Sequence, residues 1–299
     1  MDDRTGPRID VLIVNYRAYD ELERCLGSLE PVRSTFQQVI VVDHESDPAS
    51  ASHLAARFPW VTLIAGSTNA GFAVGVNTGA RATSAPYILL LNPDCVLDPQ
   101  ACGTLTSWMD AHADVAVAGP RIRNADGTVQ PSARRFPDLT TAIAGRSSWL
   151  TRVLPQNPFS RRNLPARDIS ASAPVEVDWV SGACMLVRRD AFDAVGGMDE
   201  GFFLYWEDAD FCRRLEHAGW RTCYVPEAAV MHIGGRSSRH AADASLEAFH
   251  RSAYRLYCKH AGRAGRLLSP LVFAGLQVRL AFMKRLVRRK HLRSDPNGV

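Results

Sequence analysis

Tyr87-Ile88-Leu89-Leu90-Leu91-Asn92-Pro93-Asp94 decides the fold. Five apolar residues in unbroken succession, without the alternation of a half-exposed strand, read as a strand buried on both faces. The run stops at Asn92-Pro93, and Asp94 follows. A buried strand therefore delivers a carboxylate to its C-terminal end. The same form recurs upstream. Asp10-Val11-Leu12-Ile13-Val14 ends in Asn15-Tyr16, Val39-Ile40-Val41-Val42 ends in Asp43, and Val61–Ala65 is followed by Asn69. Between these runs lie segments of helical spacing: Tyr19–Leu29, with Leu22, Leu26 and Leu29 on one face, then Ala49–Phe58 and Gly71–Ala82. Pro99–Ala111 reads as helix and Val115–Ala118 as a fifth strand. Strand and helix alternating over short connections predict an α/β fold with a mostly parallel, Rossmann-like sheet flanked by helices. In such sheets ligands bind beyond the C-terminal strand ends, where Asn15, Asp43, Asn69 and Asp94 all fall.

Further along, Trp179-Val180-Ser181-Gly182-Ala183 leads into a strand over Cys184–Val187. Phe202-Phe203-Leu204-Tyr205-Trp206-Glu207-Asp208-Ala209-Asp210 then places three carboxylates within four residues after an aromatic cluster. They repel one another unless a proton, a cation or a polar ligand intervenes. Glu207–Ala218 has helical spacing, and acids in a first turn are also favoured by the helix dipole. Arg221–Val225 reads as a strand, with Met231-His232 opening a loop. Arg134–Ala173, rich in Pro, Arg and Ser, reads as a loop or lid.

Composition bounds the function. The chain of 299 residues is 46% hydrophobic and 22% charged, enough to bury a core and too apolar for a disordered chain. Met1–Arg8 is polar, which predicts no secretory leader. Seven scattered cysteines without a Cys-x-x-Cys pair predict reduced thiols in a cytosolic protein. The net charge of +4 is unevenly spread: from Arg251 onward stand twelve Lys/Arg and one acid, so the tail carries +11 and the rest −7. Within that tail Leu267, Leu268, Leu271, Val272, Leu276, Leu280, Met283 and Val287 are apolar, with basic residues interleaved and following. Gln277 and Arg279 interrupt the run, which falls short of the roughly 18–20 residues of a spanning helix. The expectation is a basic amphipathic extension over 241–299, lying on an anionic membrane surface, behind a catalytic domain over 1–240. The alternative is a packed terminal helix with a solvated end. The tail lacks interleaved aromatics, which argues against a nucleic-acid partner.

No Gly-x-Gly-x-x-Gly or Walker motif occurs. Gly71, Gly75 and Gly79 share a helix face, read as close packing for the last two. Gly71 begins the helix, where backbone N–H groups are placed for a diphosphate. Asp43 is placed to accept from a pyrimidine N3–H, or to cap a helix. Asp94 is a hard oxygen ligand for Mg²⁺ or Mn²⁺, and His232 supplies an imidazole for the same ion, or serves structurally.

Taken in order, these segments resemble family 2 glycosyltransferases of GT-A fold, especially rhamnosyltransferase-like members. The resemblance spans roughly 10–235. It rests on Val14-Asn15-Tyr16, Val42-Asp43, Asn69-Ala70-Gly71-Phe72-Ala73-Val74-Gly75-Val76-Asn77, Leu91-Asn92-Pro93-Asp94, Trp179–Ala183, Phe203–Asp210 and His232. It implies a nucleotide-sugar pocket lined by Val14, Asn15, Tyr16, Asp43, Asn69, Gly71, Asn77, Asn92, Pro93 and Asp94. It implies a divalent cation, Mg²⁺ or Mn²⁺, on Asp94 and His232, and Asp208 as catalytic base with Glu207 beside it. Trp179 and Trp206 would shape the acceptor site. Asn92 stands where the family's Asp-x-Asp motif has its first Asp, removing one charge near the ion. The implied reaction is inverting transfer, with dTDP-L-rhamnose as donor and a saccharide or polyprenyl-diphosphate-linked acceptor of the cell surface. The enzyme would sit peripherally on the cytoplasmic face of the membrane. UDP-galactofuranose or UDP-glucose as donor, and a non-catalytic nucleotide-sugar-binding protein, are the alternatives. The intact Glu207-Asp208 pair speaks against the last. A homo-oligomer is left open.

Overall fold

The computed structural model describes residues 8–136, 172–234 and 242–294, with side chains to residue 287. The strands and helices read from the sequence up to Val115–Ala118 appear in order, among others that were not expected. The elements are β1 (Ile9–Tyr16), α1 (Tyr19–Leu29), β2 (Phe36–His44), α2 (Pro48–Arg57), β3 (Val61–Ala65), α3 (Phe72–Ala80), β4 (Tyr87–Leu91), β5 (Cys95–Leu97), α4 (Ala101–Ala111) and β6 (Val115–Arg123). After these come β7 (Ala133–Arg134), β8 (Val175–Val177), β9 (Trp179–Val180), β10 (Cys184–Arg188), α5 (Arg189–Ala194), α6 (Glu207–His217), β11 (Arg221–His232), α7 (Ala242–His260), α8 (Arg263–Leu267) and α9 (Ser269–Ser294).

Among the described residues one large sheet runs β3-β2-β1-β4-β10-β6-β11-β5, with β8 also on β11. The half read first from the sequence, β3-β2-β1-β4, is parallel, as is β6 beside β11. The sheet is mostly parallel as expected, and periodicity did not single out its antiparallel members. β10 runs antiparallel between β4 and β6, and β5 and β8 are antiparallel to β11. Periodicity reports burial and is blind to direction, so a buried antiparallel strand reads like a parallel one. The alternating residues 175–180 read as a single strand but are split: β8 joins the large sheet, while β9 pairs with β7 in a two-stranded ribbon.

The core lies on both faces of the sheet. Leu22, Leu26 and Leu29 of α1 are fully buried against Val11, Ile13 and Val41. On the other face α3 sits close to β1 because it carries glycines. A Cβ at Gly75 would lie 2.6 Å from Val14 and one at Gly79 2.0 Å from Leu12, so both serve packing.

The predicted lid falls almost wholly at 137–171, outside the described residues. Its first residues do not form a loop: Arg134 belongs to β7, paired with Trp179. The extension expected from 241 onward is two structures rather than one. α7 packs into the catalytic body, where Leu256 is buried with Trp179, Phe202, Ala209 and Cys212. Only α8 and α9 lie outside it, with α9 against α7. No described helix is long and apolar enough to cross a membrane.

Candidate active site

Two strand pairings assemble the first half of the site. Parallel register sets Asn15 at the end of β1 beside Asp43 at the end of β2, and Asn15 Nδ2 donates to Asp43 Oδ1 at 2.7 Å. Tyr19 Oη donates to Asp43 Oδ2 at 2.8 Å. Asn15 and Asp43 have no exposed surface. The Asp43 expected to read a base is thus the centre of a sealed hydrogen-bonded group, and Tyr19 has to swing aside before a ligand reaches Oδ2.

Antiparallel register then sets His232 against Cys95, which brings Asp94 beside the imidazole. His232 is the last residue of β11 and not a loop residue as expected. Its Nε2 is 3.1 Å from Asp94 Oδ1, and its Nδ1 faces Gln130 Oε1 at 3.0 Å. Gln130 spends its own amide N–H groups on Asn124 Oδ1 and the His232 carbonyl, so its oxygen is what meets the ring. Nδ1 therefore carries a proton, and Nε2 presents a lone pair to a carboxylate unless a proton or cation lies between. Cys95 Sγ is within 4.8 Å of both ligand atoms. It is buried, donates to the Ala183 carbonyl, and is held as a thiol because burial pushes its pKa well up. One carboxylate oxygen and one imidazole nitrogen on converging strand ends suit a hard divalent cation whose other ligands come from water and diphosphate.

The second half is built on α6. Tyr205 and Trp206, at φ 68° and 70°, are both left-handed ahead of its first residue. Such backbone persists only where its surroundings hold it. Phe72 N–H donates to the Phe203 carbonyl, Ser252 Oγ to the Leu204 carbonyl, and Phe249 of α7 packs on the rings of Tyr205 and Trp206. The turn thereby aims Asp208 inward. Its two oxygens accept from the Gly182 and Ala209 backbone N–H groups at 3.0 and 2.8 Å. Those bonds favour its ionised form, while burial raises its pKa. Glu207 is 7% exposed, and among the described residues its Oε2 has no partner. Burial first, then the Asp208 charge, pushes its pKa well above the usual range. Burial thus raises both members of the pair, and Glu207 further than Asp208, whose two N–H bonds oppose the shift. Among the described residues the enclosed Trp206 indole N–H also lacks a partner.

Several expected site residues are placed elsewhere. Val14 packs beneath Gly75 in the core. Asn77 is spent on the segment after α5: Nδ2 donates to the Met198 carbonyl and Glu200 Oε1, and Oδ1 accepts from Met198 N–H. It offers no free amide to a nucleotide. Trp179 is 5% exposed, its N–H given to the Arg135 carbonyl. It backs Trp206 at 6.0 Å between ring centroids rather than facing an acceptor. Gly71 N–H goes to Asn69 Oδ1 and Phe72 N–H to Phe203, so two donors at the start of α3 serve the loops. Tyr16, Asn92 and Pro93 are half-buried at the β1 and β4 ends, as expected. Asp210 is not part of the acidic site at all. Fully buried, it binds Arg214, Lys259 and His260, and together they hold its pKa down to about 2. A cavity of about 330 Å³ lined by Asn77, Arg81, Arg189 and Glu200 lies at the other side of α3, and none of Asp94, His232, Glu207 or Asp208 lines it.

The sequence reading missed Gln130, Tyr19, Phe249 and the Gly182 N–H. Only Gly182 carried a signal, as part of the Trp179–Ala183 stretch.

A mixed sheet with a carboxylate–imidazole pair at one strand end and a paired Glu-Asp at a helix start defines a GT-A glycosyltransferase. The chain belongs to the glycosyltransferase-like family 2, whose model matches residues 7–255. It is 34% identical over 257 residues to the N-acetylglucosaminyl-diphospho-decaprenol L-rhamnosyltransferase of Mycobacterium tuberculosis, covering 82% of each chain. It is 26% identical over 236 residues to rhamnosyltransferase WbbL of Escherichia coli, covering 77% of this chain and 84% of that one. In structure it resembles a mannosyltransferase of Pyrobaculum calidifontis in complex with GDP-Man and Mn²⁺, with a TM-score of 0.58, 15% identity and coverage of 94% of this chain and 76% of that one.

Proposed function

We propose that the protein is an inverting rhamnosyltransferase, moving L-rhamnose from dTDP-L-rhamnose to a polyprenyl-diphosphate-linked saccharide in cell-surface polysaccharide synthesis. The observation that carries the reading is the placement of Asp208 at the start of α6, its two oxygens accepting from the Gly182 and Ala209 backbone N–H groups, beside the buried Glu207 carboxyl. The two rhamnosyltransferase relatives support the choice of sugar and of lipid-linked acceptor.

Asp208 takes the acceptor hydroxyl proton as the oxygen attacks the anomeric carbon from the face opposite the nucleotide. The new C–O bond forms as the bond to the diphosphate breaks, and the nucleoside diphosphate leaves with the electron pair. Glu207 and the Trp206 indole orient the hydroxyl. Asp94 and His232 would hold a divalent cation, Mg²⁺ or Mn²⁺, which supplies charge neutralisation at the departing diphosphate. Asn15, Tyr16, Asn69, Gly71 and the Asn92-Pro93 turn border the donor, and Asp43 orders Asn15 and Tyr19. The relative's lipid-linked acceptor supports, for this chain, a peripheral position on the cytoplasmic face of the membrane.

The test is thermal stabilisation by dTDP-L-rhamnose, UDP-galactofuranose and UDP-glucose, each with Mg²⁺, Mn²⁺ or EDTA, followed by transfer to a synthetic polyprenyl-diphosphate N-acetylglucosamine. Cation-dependent stabilisation by dTDP-L-rhamnose alone, with product formed, is the expected result. Preference for a UDP-sugar overturns the donor, and the absence of any stabilisation overturns the catalytic reading.

A further inference from the structure

The tail was expected to present one apolar face. The structure divides its residues between two. On α9 the half-buried Val272, Leu276, Leu280 and Met283 turn toward α7. There Lys284 also pairs with Glu247, and Arg279 reaches His250 and the Phe249 ring. Leu271, Val278 and Phe282 point the other way and are 71, 72 and 52% exposed. Their spacing of seven and four puts them in one stripe along the outer surface. Gly275 and Ala281 lie on the same stripe, and Arg285 continues it; all three are exposed. Leu267, at the end of α8, is 82% exposed. A helix apolar on both sides requires cover on both, and a contiguous exposed stripe of large apolar side chains marks a docking surface.

Charge identifies the cover. Arg263 and Arg266 are exposed at one end of the stripe and Arg285 at the other, with no acidic partner given to them among the described residues. The other tail cations are differently placed: Arg255 and Lys259 are engaged with Asp199 and Asp210. A second copy of the chain laid against this stripe, in either direction, sets arginine against arginine. An anionic bilayer takes the apolar side chains into its acyl boundary and its headgroups meet the arginines.

We infer that the outer stripe of α9, Leu271–Val278–Phe282 with Arg263, Arg266 and Arg285 at its ends, docks on an anionic lipid bilayer, with α9 lying in its plane. This deepens the peripheral placement proposed above and rests on that reading for its purpose, though not for its test. Bilayer contact at the outer face leaves the inner face on α7, so Phe249 and the Trp206 turn behind it sit directly behind the docked helix.

The experiment is flotation of the full chain with phosphatidylcholine vesicles, with and without phosphatidylglycerol, at low and high salt. No turnover is read, so failure of the donor assignment and failure of this surface are separable. Wild type should float with the anionic vesicles, less so at high salt. Leu271→Ser/Val278→Ser/Phe282→Ser should bind at least about tenfold more weakly, with its melting transition unchanged. Arg263→Gln/Arg266→Gln/Arg285→Gln should lose the preference for anionic lipid. Equal flotation of the serine variant, equal binding to neutral vesicles, or a wild-type dimer that the serine variant converts to monomer without any vesicle binding would each overturn the inference. Should the triple variant unfold, Val278→Trp decides: its added fluorescence shifts to the blue with anionic vesicles if the stripe docks, and stays put if it does not.

Discussion

His232 Nε2 lies 3.1 Å from Asp94 Oδ1 while its Nδ1 is committed to Gln130. A neutral ring so oriented points a lone pair at an anion, an arrangement that a bound cation converts from repulsive to attractive. His232→Ala and Asp94→Ala should each abolish the Mn²⁺ dependence of donor binding in a calorimetric titration. Gln130→Leu removes only the group that orients the ring, and should weaken the cation by about 10–100-fold. Unchanged titrations for all three would place the cation elsewhere.

Asp208→Asn keeps the shape and loses the proton acceptor. Transfer should fall by about 10²–10⁴-fold with donor affinity near wild type. In the wild type, burial raises the Asp208 pKa. The protonated form is inactive, so the rate should climb with pH through that raised value and level off above it. A flat acid limb removes Asp208 from the role of base.

Glu207→Gln should separate stability from activity. The folded state holds a proton on this buried carboxyl that the unfolded state releases above its ordinary pKa. Rising pH therefore favours unfolding through that window. The neutral isostere escapes the penalty and should melt higher than wild type at pH 7–8, while acceptor KM rises. A lower melting temperature would show that the carboxyl is charged in the fold.

For Asp210 the sign is reversed. Its folded pKa, about 2, lies below the unfolded value. Its stabilisation, about 2 kcal/mol at most, is therefore present above roughly pH 4 and lost as pH falls through 2. Asp210→Asn should lower the melting temperature at neutral pH and flatten its acid dependence. Lys259→Met should have a smaller effect in the same direction.

Gly71, at φ 93°, would bring a Cβ within 2.5 Å of the Phe203 carbonyl oxygen. Gly71→Ala should cost about 1–3 kcal/mol and loosen the turn that aims Asp208. A thermal melt and acceptor KM check both.

How much of this was legible beforehand follows from what each signal measures. Unbroken apolar runs located β1, β2 and β4, and polar residues after them located Asn15, Asp43 and Asp94. His232 could be offered as a partner for Asp94 but not placed beside it, because their meeting depends on an antiparallel pairing between strands far apart in the chain, which periodicity does not encode. Trp179 and Asn77 were misplaced for a related reason. An aromatic or an amide has the same letter whether it faces a ligand or is spent inside, and only the partners at Arg135 and Met198 decide. Asp210 looked like a third active-site acid because two of its three partners, Lys259 and His260, arrive from α7.

Asp208 and Asp210 stand two residues apart on α6, about 200° around its axis. Asp208 faces the Gly182 N–H, and the clasped Asp210 faces α7. The eleven residues of α6 thus carry Asp208 on one side, while Lys259 and His260 of α7 hold Asp210 on the other. The contact that closes α7 on the body is also the one that fixes the rotation of the helix presenting Asp208.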